Sequence, residues 1–355
     1  MKQNKTNYLP LTFSEFETLT NQFARILSTK EAPVIIPSEA ILGIEAIAAG
    51  VAAPGRTILN IVTGPYGSLF GKWLRRGGAA VAEVVTSFDE VATVGKVAQA
   101  IEQYKPCALS FVQAEAITGG TNPTEKILDL ARRAGLVTIV DSVSAIGAEP
   151  VLMDSWAIDF VAVGPQKALA GPNGIGAVGI SERGWKFLEE NEYAPRHSIL
   201  SLLDYKNTDD GKEVYKVPDN IPVLEARACI EALKEVEEEG LSHVNFRHRL
   251  ASASAIAGMK ALGIAPWQKD QSGYSPLNTT IRIPEKYHVN EEQLSGIVGS
   301  GDGELKDHLL RINHYGAHAS QESVEEAIII MAKLFDKESD QALRAVRNIW
   351  GSENE

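Results

Sequence analysis

The sequence contains few cysteines and no long hydrophobic run. Its 355 residues include two cysteines, Cys107 and Cys229, which argues against a disulfide framework or a zinc site, and we expect both thiols to be free and buried. No stretch approaches the roughly 20 apolar residues that a membrane helix requires. The N-terminus also lacks the apolar core of a signal peptide. These absences predict a cytoplasmic protein without a membrane partner.

Basic residues are fewer than acidic residues. Lysine and arginine total 34 against 46 acidic residues, for a net charge of -12. An acidic surface argues against nucleic acid as the main partner. Hydrophobic residues make up 44% of the chain, which is ample for a large core.

Strand and helix patterns alternate through the first half of the chain. Short apolar runs predict strands at 34–36, 57–62, 80–85, 108–112, 136–140, 160–163 and 175–180. Repeated β-α units of this length predict an α/β fold in three layers, with a mostly parallel sheet covered by helices on both faces. The pattern changes after residue 200. We predict an N-terminal helical segment at 1–30, a large domain at 31–222, and a smaller C-terminal α+β domain at 223–355.

Two charged residues follow apolar strands of this pattern. Asp141 ends the run 136–140, and Lys167 follows 160–163 among small and apolar residues. Ligands of parallel sheets bind outside the carboxyl ends of the strands, and burial makes a lysine nucleophilic by lowering its pKa. The alternatives are an exposed lysine in a glycine-rich turn and an aspartate that caps a helix or binds a cation.

Three motifs around these residues resemble one known family. They are Ala-Glu-Ala-Ile-Thr-Gly at 114–119, Val-Asp-Ser-Val-Ser-Ala at 140–145 and Gly-Pro-Gln-Lys-Ala-Leu at 164–169. Glu115 and Asp141 are 26 positions apart, as are Asp141 and Lys167. This register resembles class V aminotransferases of the fold-type I pyridoxal-phosphate enzymes, most closely the alanine–glyoxylate and serine–pyruvate group. The resemblance covers roughly residues 34–335.

The resemblance assigns roles to individual residues. It implies that Lys167 holds pyridoxal 5′-phosphate as a Schiff base and shuttles a proton, while Asp141 pairs with the ring nitrogen. The remaining implied contacts are Val143 and Tyr66 on the two ring faces, Thr118 and Gln166 on the cofactor, and Arg311 on the substrate carboxylate.

The expected phosphate-binding turn departs from the family pattern. Family members carry a small, hydroxyl-rich turn at a helix N-terminus, whereas this chain has Ser38, Glu39 and Ala40 there. A glutamate repels a phosphate unless it turns away or is paired. Arg227 falls near a family residue that reaches the neighbouring subunit's phosphate, so it is predicted to bind the phosphate or to pair with Glu39, unless it is a solvated helix residue.

The function implied by the resemblance is transfer of an amino group from a small amino acid to a small 2-oxo acid of the pyruvate or glyoxylate type. A class V lyase, related to desulfurases or kynureninases, is one alternative, and a non-catalytic protein on the same scaffold is another. Gln166 before Lys167 favours transfer, because those lyases usually carry a histidine there. The resemblance also implies a homodimer.

Overall fold

A computed structural model of the chain describes residues 9–206, 208–209, 212–213, 217 and 220–351. Its strands are β1 (Val34–Ile36), β2 (Thr57–Val62), β3 (Ala80–Val85), β4 (Ala108–Val112), β5 (Ala114–Glu115), β6 (Gly120–Thr121), β7 (Val137–Asp141), β8 (Phe160–Val163), β9 (Gly176–Ile180), β10 (Thr208–Asp209), β11 (Lys212–Glu213), β12 (Thr279–Arg282), β13 (Val298–Ser300) and β14 (Leu309–Ile312). Its α-helices are α1 (Phe13–Ile26), α2 (Ala40–Val51), α3 (Pro65–Arg76), α4 (Val94–Tyr104), α5 (Thr124–Arg133), α6 (Glu182–Glu189), α7 (Val223–Glu239), α8 (Leu241–Ala261), α9 (Gln321–Leu334) and α10 (Asp340–Gly351).

The central sheet has seven strands in the order β1-β9-β8-β7-β4-β2-β3. The five strands from β8 to β3 run parallel, and β9 and β1 complete one edge in antiparallel pairing. Every residue of the parallel strands β4 and β8 is buried, as expected for parallel strands covered on both faces. The predicted mostly parallel sheet is confirmed.

Two hydrophobic clusters cover the two faces of this sheet. One cluster includes Ile44 and Ile47 of α2, Leu74 of α3 and Leu188 of α6. The other joins α1, α4, α5 and α7, with Phe23 fully buried in it. Helix α7 begins at Val223, where the sequence predicted the second domain, yet its apolar side packs into this sheet-covering cluster.

A second, smaller sheet follows the long helix α8. Strand β14 lies between β12 and β13 in antiparallel pairing, and α8, α9 and α10 share one apolar cluster with it. The smaller unit contacts the motif at 114–119, because Thr280 donates to the Thr118 carbonyl at 2.6 Å and Asn278 donates to the Ala116 carbonyl at 2.7 Å. This contact brings β14, which carries Arg311, towards the carboxyl edge of the large sheet.

Helix α3 starts earlier than the sequence pattern indicated. The Gly-Pro-Tyr-Gly stretch at 64–67 predicts a turn, but Pro65 is the first residue of the helix and Gly64 is its N-cap. Proline suits this position because the first helical N–H has no partner within the helix. Tyr66 therefore lies in the first turn of α3. Within the described ranges, no helix has both the length and the apolar character needed to cross a membrane.

Candidate active site

A cavity of about 260 Å³ lies among the loops and helix N-termini that follow the strands of the large sheet. Six predicted site residues line it, namely Glu39, Tyr66, Asp141, Val143, Gln166 and Lys167. They come from α2, α3 and the segments after β7 and β8, so the fold gathers side chains that are up to 128 residues apart in sequence. This position agrees with the expectation for ligand sites in parallel sheets.

Lys167 is a partly buried amine on the cavity wall. Its Nζ donates a hydrogen bond to the Ser144 hydroxyl at 2.6 Å and lies 6.0 Å from the centre of the Tyr66 ring. Burial lowers the pKa of Lys167, although nearby carboxylates, Asp141 first among them, act in the opposite direction. A lysine of this kind can act as a nucleophile and can carry a proton.

Asp141 is the last residue of β7 and accepts a hydrogen bond from the Val143 N–H at 3.0 Å. Burial raises its pKa to about 6, while the Val143 N–H and the charge of Lys167 oppose that rise. A buried carboxylate is stabilised when a cation binds beside it. Asp141 is therefore suited to hold a protonated ring nitrogen.

A buried glutamate supports the helix that carries Tyr66. Glu115 accepts hydrogen bonds from the N–H groups of Gly67 at 2.9 Å and Tyr66 at 3.4 Å, so it satisfies free donors at the N-terminus of α3. A side chain at Gly64 would clash with the Glu115 carboxyl group. Burial raises the pKa of Glu115 to about 7. Glu115 thus fixes the turn from which the Tyr66 ring reaches the cavity.

The N-terminus of α2 differs from a phosphate-binding turn. Glu39 is its N-cap, and one carboxylate oxygen accepts the Ile41 N–H at 2.8 Å. The other oxygen accepts a short hydrogen bond from the Gln166 side-chain amide. The amide must present its N–H₂ to the carboxylate, because the reverse orientation would bring two acceptors together. This leaves the Gln166 Oε1 atom buried without a partner.

The ring end of pyridoxal phosphate fits this cavity, but its phosphate end does not. Lys167, Asp141, Val143 and Tyr66 supply an amine, an anion and two packing surfaces. At the helix N-terminus, however, a carboxylate already accepts the Ile41 N–H that a phosphate would use. The Glu39 carboxylate and the Gln166 Oε1 atom are both hydrogen-bond acceptors. A phosphate dianion is also an acceptor, so it would find no donor in these two groups.

Five predicted site residues do not line the cavity: Ser38, Ala40, Thr118, Arg227 and Arg311. Thr118 is fully buried, and its carbonyl accepts a hydrogen bond from Thr280 of the smaller unit. Arg227 does not pair with Glu39, because it forms an ion pair with Glu15 at 2.7 Å. That pairing links α7 to the capping turn of α1.

Arg311 lies in the middle of β14, and its Nε donates to the Ser300 carbonyl at 2.9 Å. Its positive charge is close enough to contribute to lowering the pKa of Lys167. The guanidinium is therefore near the cavity without forming part of its wall.

Sequence reasoning missed five residues of the cavity wall: Ile41, Ile44, Ser144, Asn173 and Tyr315. Ser144 lies within the motif at 140–145, so its position beside Asp141 and Val143 could have indicated a place on the cavity wall. Tyr315 follows Arg311 by four residues, but its approach to the cavity depends on how the smaller unit docks. The two cysteines lie elsewhere. Cys229 is buried in α7, whereas Cys107 is exposed rather than buried as expected.

Comparison with known proteins agrees with this architecture. The chain is 31% identical over 313 residues to a pyridoxamine–pyruvate transaminase of Mesorhizobium japonicum, covering 86% of this chain and 79% of that protein. It is 26% identical to alanine–glyoxylate aminotransferase of Rattus norvegicus, covering 77% and 67%.

Solved structures give the same answer. The pyridoxamine–pyruvate aminotransferase of Mesorhizobium loti superimposes with a TM-score of 0.89 at 27% identity, covering 96% of this chain and 89% of that one. A ureidoglycine–glyoxylate aminotransferase of Bacillus subtilis gives 0.83 at 25% identity, covering 95% and 90%. Cysteine desulfurases also match, at 15–16% identity, and show the fold alone.

The parallel sheet, together with these neighbours, defines a fold-type I transferase of the pyridoxal-phosphate class. The family model of class V aminotransferases matches residues 10–289, and the chain belongs to that family. It is an aminotransferase, with relatives that act on small amino compounds and on glyoxylate or pyruvate.

Proposed function

We propose that this chain transfers an amino group to a small 2-oxo acid such as pyruvate, and that the amino donor is pyridoxamine without a phosphate. The observation that carries the proposal is the pairing of Glu39 with the Ile41 N–H and with Gln166 at the N-terminus of α2. The relative at 31% identity is named for pyridoxamine and pyruvate.

The hydrogen-bonding character of that end of the cavity supports the free vitamin form. Glu39 offers acceptor lone pairs, and the buried Gln166 Oε1 has no partner. A hydroxymethyl group can donate its O–H to such acceptors, whereas a phosphate dianion would meet a like charge. A cationic pyridoxamine also suits a cavity lined by Glu39 and Asp141.

The residues of the cavity have separate tasks in this reaction. A bound pyridoxal-type ring withdraws electrons from the carbon that carries the amino group. Lys167 Nζ takes up and returns the proton that transamination moves. Asp141 keeps the ring nitrogen protonated, and Tyr66 and Val143 hold the ring between them. Arg311 grips the carboxylate of the oxo acid with its planar guanidinium.

The alternative is a resident pyridoxal 5′-phosphate cofactor with a small amino acid as donor. The family and the alanine–glyoxylate relatives support it. In that arrangement Glu39 must turn away from the phosphate, and Ser38 and Ala40 contribute their backbone N–H groups. Arg227 of a second copy would then reach the phosphate across a homodimer interface. We place this activity in the cytoplasm under either arrangement.

One experiment separates the two arrangements. Gel-filtered protein is titrated with pyridoxal and, separately, with pyridoxal phosphate, while the visible absorbance band that depends on the lysine is recorded. Product formation is then measured from pyridoxamine with pyruvate, and from alanine with glyoxylate plus pyridoxal phosphate. We expect binding and turnover with the unphosphorylated pair. Protein that retains pyridoxal phosphate through gel filtration and ignores pyridoxamine would contradict the proposal.

Matched lysine variants tie the signal to the cavity. Lys167→Ala should abolish both the band and turnover. Lys96→Ala, an exposed lysine on α4, should change neither. Loss of the band in both variants would mean that the absorbance does not report on Lys167.

A further inference from the structure

The Lys167 amine has a neutral hydrogen-bond partner in a cavity surrounded by carboxylates. Its Nζ donates to Ser144 Oγ at 2.6 Å, and Ser144 is 5% exposed. Within the part of the chain that the structure describes, no carboxylate oxygen lies within ion-pair distance of Nζ. A hydroxyl, rather than an acid, therefore holds this amine.

The charged groups around Lys167 are mostly acidic. They include Asp141 at the end of β7, Glu39 at the N-terminus of α2 and Glu115 in β5, and Arg311 in β14 is a nearby cation. The cavity wall also carries the phenols of Tyr66 and Tyr315. An amine that is free to move among these groups would approach a carboxylate, and an ion pair would hold its proton.

The turn after β7 aims the Ser144 hydroxyl at the cavity. The N–H groups of Ala145 and Ile146 donate to the Ser142 carbonyl at 3.0 and 2.8 Å, which closes the turn. The hydroxyl of Ser142 donates elsewhere, to the Gln113 side chain at 2.8 Å. Two serines in one turn thus have different tasks, and one of them contacts Lys167.

We propose that Ser144 is a positioning residue that holds the Lys167 amine on the cavity wall, apart from the surrounding carboxylates, and so keeps it available as a neutral nucleophile. The inference rests on the proposed function only in taking Lys167 as the reactive amine. It applies whether the ring carries a phosphate or not. In an enzyme whose pyridoxal leaves as a product, the lysine is free in every cycle, so its free position matters at each turnover.

The test uses the ligand-free protein and cyanate as a small probe. The neutral amine bonds to the carbon of cyanic acid, and the amine proton passes to the cyanic acid nitrogen, which gives a carbamoyl adduct with no other reactant. The modified fraction of Lys167 is followed by mass spectrometry across pH. The rate and its midpoint report on the amine without any vitamin being bound.

Ser144→Ala removes the hydroxyl, so the Lys167 amine should move towards Asp141. The pH midpoint of Lys167 carbamoylation should then rise by about one unit, and the rate of carbamoylation at neutral pH should fall roughly tenfold. Ser144→Thr keeps the hydroxyl and should stay within about twofold of the parent rate. Ser142→Ala, in the same turn, should match the parent. Thermal unfolding checks that each variant is folded. If Ser144→Ala is not folded, the measurement is repeated with Ser144→Gly.

The outcomes separate this inference from the proposed function. A Ser144→Ala midpoint and rate equal to those of the parent would overturn the positioning role. Failure of the parent protein to bind pyridoxal or to turn over pyridoxamine overturns the proposed donor instead, because the cyanate reaction contains neither compound. Loss of rate in Ser142→Ala of the same size would mean that the turn, rather than the hydroxyl, controls the lysine, and would also overturn the inference.

Discussion

Glu39 and Gln166 are hydrogen-bonded to each other at the N-terminus of α2, on the wall of the cavity. They are 127 residues apart in sequence, and the fold brings them together because α2 and the segment after β8 both open onto the carboxyl edge of the sheet. Their pairing leaves hydrogen-bond acceptors at this end of the cavity. The amino donor that we propose depends on this arrangement.

Replacing the carboxylate should therefore shift the preference of the cavity. Glu39→Ser removes a like charge from the N-terminus of α2, so the dissociation constant of pyridoxal phosphate should fall at least about tenfold. Turnover of pyridoxamine should fall, because its hydroxyl loses an acceptor. Absorbance titration and product formation measure the two effects.

The control for this prediction is Glu102→Ser, an exposed glutamate on α4, which should leave both constants unchanged. A Glu39→Ser variant that binds pyridoxal phosphate no better than the parent would mean that Glu39 already turns away from the phosphate. The resident-cofactor arrangement would then be favoured.

Arg311 should determine recognition of the oxo acid and leave ring binding unchanged. Arg311→Ala removes charge-assisted hydrogen bonds, each worth about 1.5–3 kcal/mol, so KM for pyruvate should rise roughly 10- to 100-fold. Pyridoxal affinity should stay near that of the parent. Steady-state kinetics with varied pyruvate, set beside an absorbance titration, separates the two.

Arg249→Ala serves as the matched control, because Arg249 is exposed on α8. Equal losses of pyridoxal and pyruvate affinity in Arg311→Ala would assign Arg311 to the fold rather than to the substrate. Arg311→Lys should fall between parent and alanine, since an ammonium lacks the two-point grip of a guanidinium.

Ring binding should depend on the ionisation of Asp141. Burial raises its pKa to about 6 in the free protein, and only the ionised carboxylate attracts a protonated ring. Affinity for the protonated ring should therefore weaken as pH falls below about 6. Asp141→Asn should remove this weakening of affinity at low pH and should lower turnover by roughly 10- to 100-fold. Pyridoxal titrations from pH 5 to 8 measure the weakening at roughly half-unit steps.

Asp340→Asn, an exposed residue at the start of α10, should keep both the weakening of affinity at low pH and the turnover. If Asp141→Asn still lost pyridoxal affinity below about pH 6, the titrating group would be another acid near the cavity. Glu115 would be the first candidate, because its pKa is raised to about 7.

The sequence was sufficient to predict the sheet, and the structure places Asp141 and Lys167 on one cavity at its edge. Short apolar strands ending at Asp141 and before Lys167 locate both residues at one edge, because parallel strands share that edge. The pattern could not reveal contacts made across elements. The hydroxyl of Ser144 reaches Lys167 only because a tight turn aims it there. Arg227 also needed the fold, because its partner Glu15 belongs to a helix that is distant in sequence. The domain division at residue 222 stays a prediction.

A partly buried acid outside the cavity wall, Glu149, gives a last prediction, about stability. Glu149 accepts a hydrogen bond from the Thr121 hydroxyl at 2.8 Å, and burial raises its pKa to about 7. A raised carboxyl pKa means that the folded state binds the proton more tightly than the unfolded state. Stability from this group is therefore present at low pH and is lost as pH rises from about 4.5 through 7.

Glu149→Gln removes that titration while keeping a side chain that can bond to Thr121. The variant should gain free energy of unfolding relative to the parent as pH rises from 4.5 towards 7, by up to about 3 kcal/mol. The comparison must be a difference between the two proteins, because His248, whose pKa burial lowers to about 4, contributes a dependence of opposite sign. Urea unfolding at matched pH values gives the difference directly, since the histidine contribution is common to both proteins. A difference that stays flat across this range would show that Glu149 keeps its charge in the folded protein.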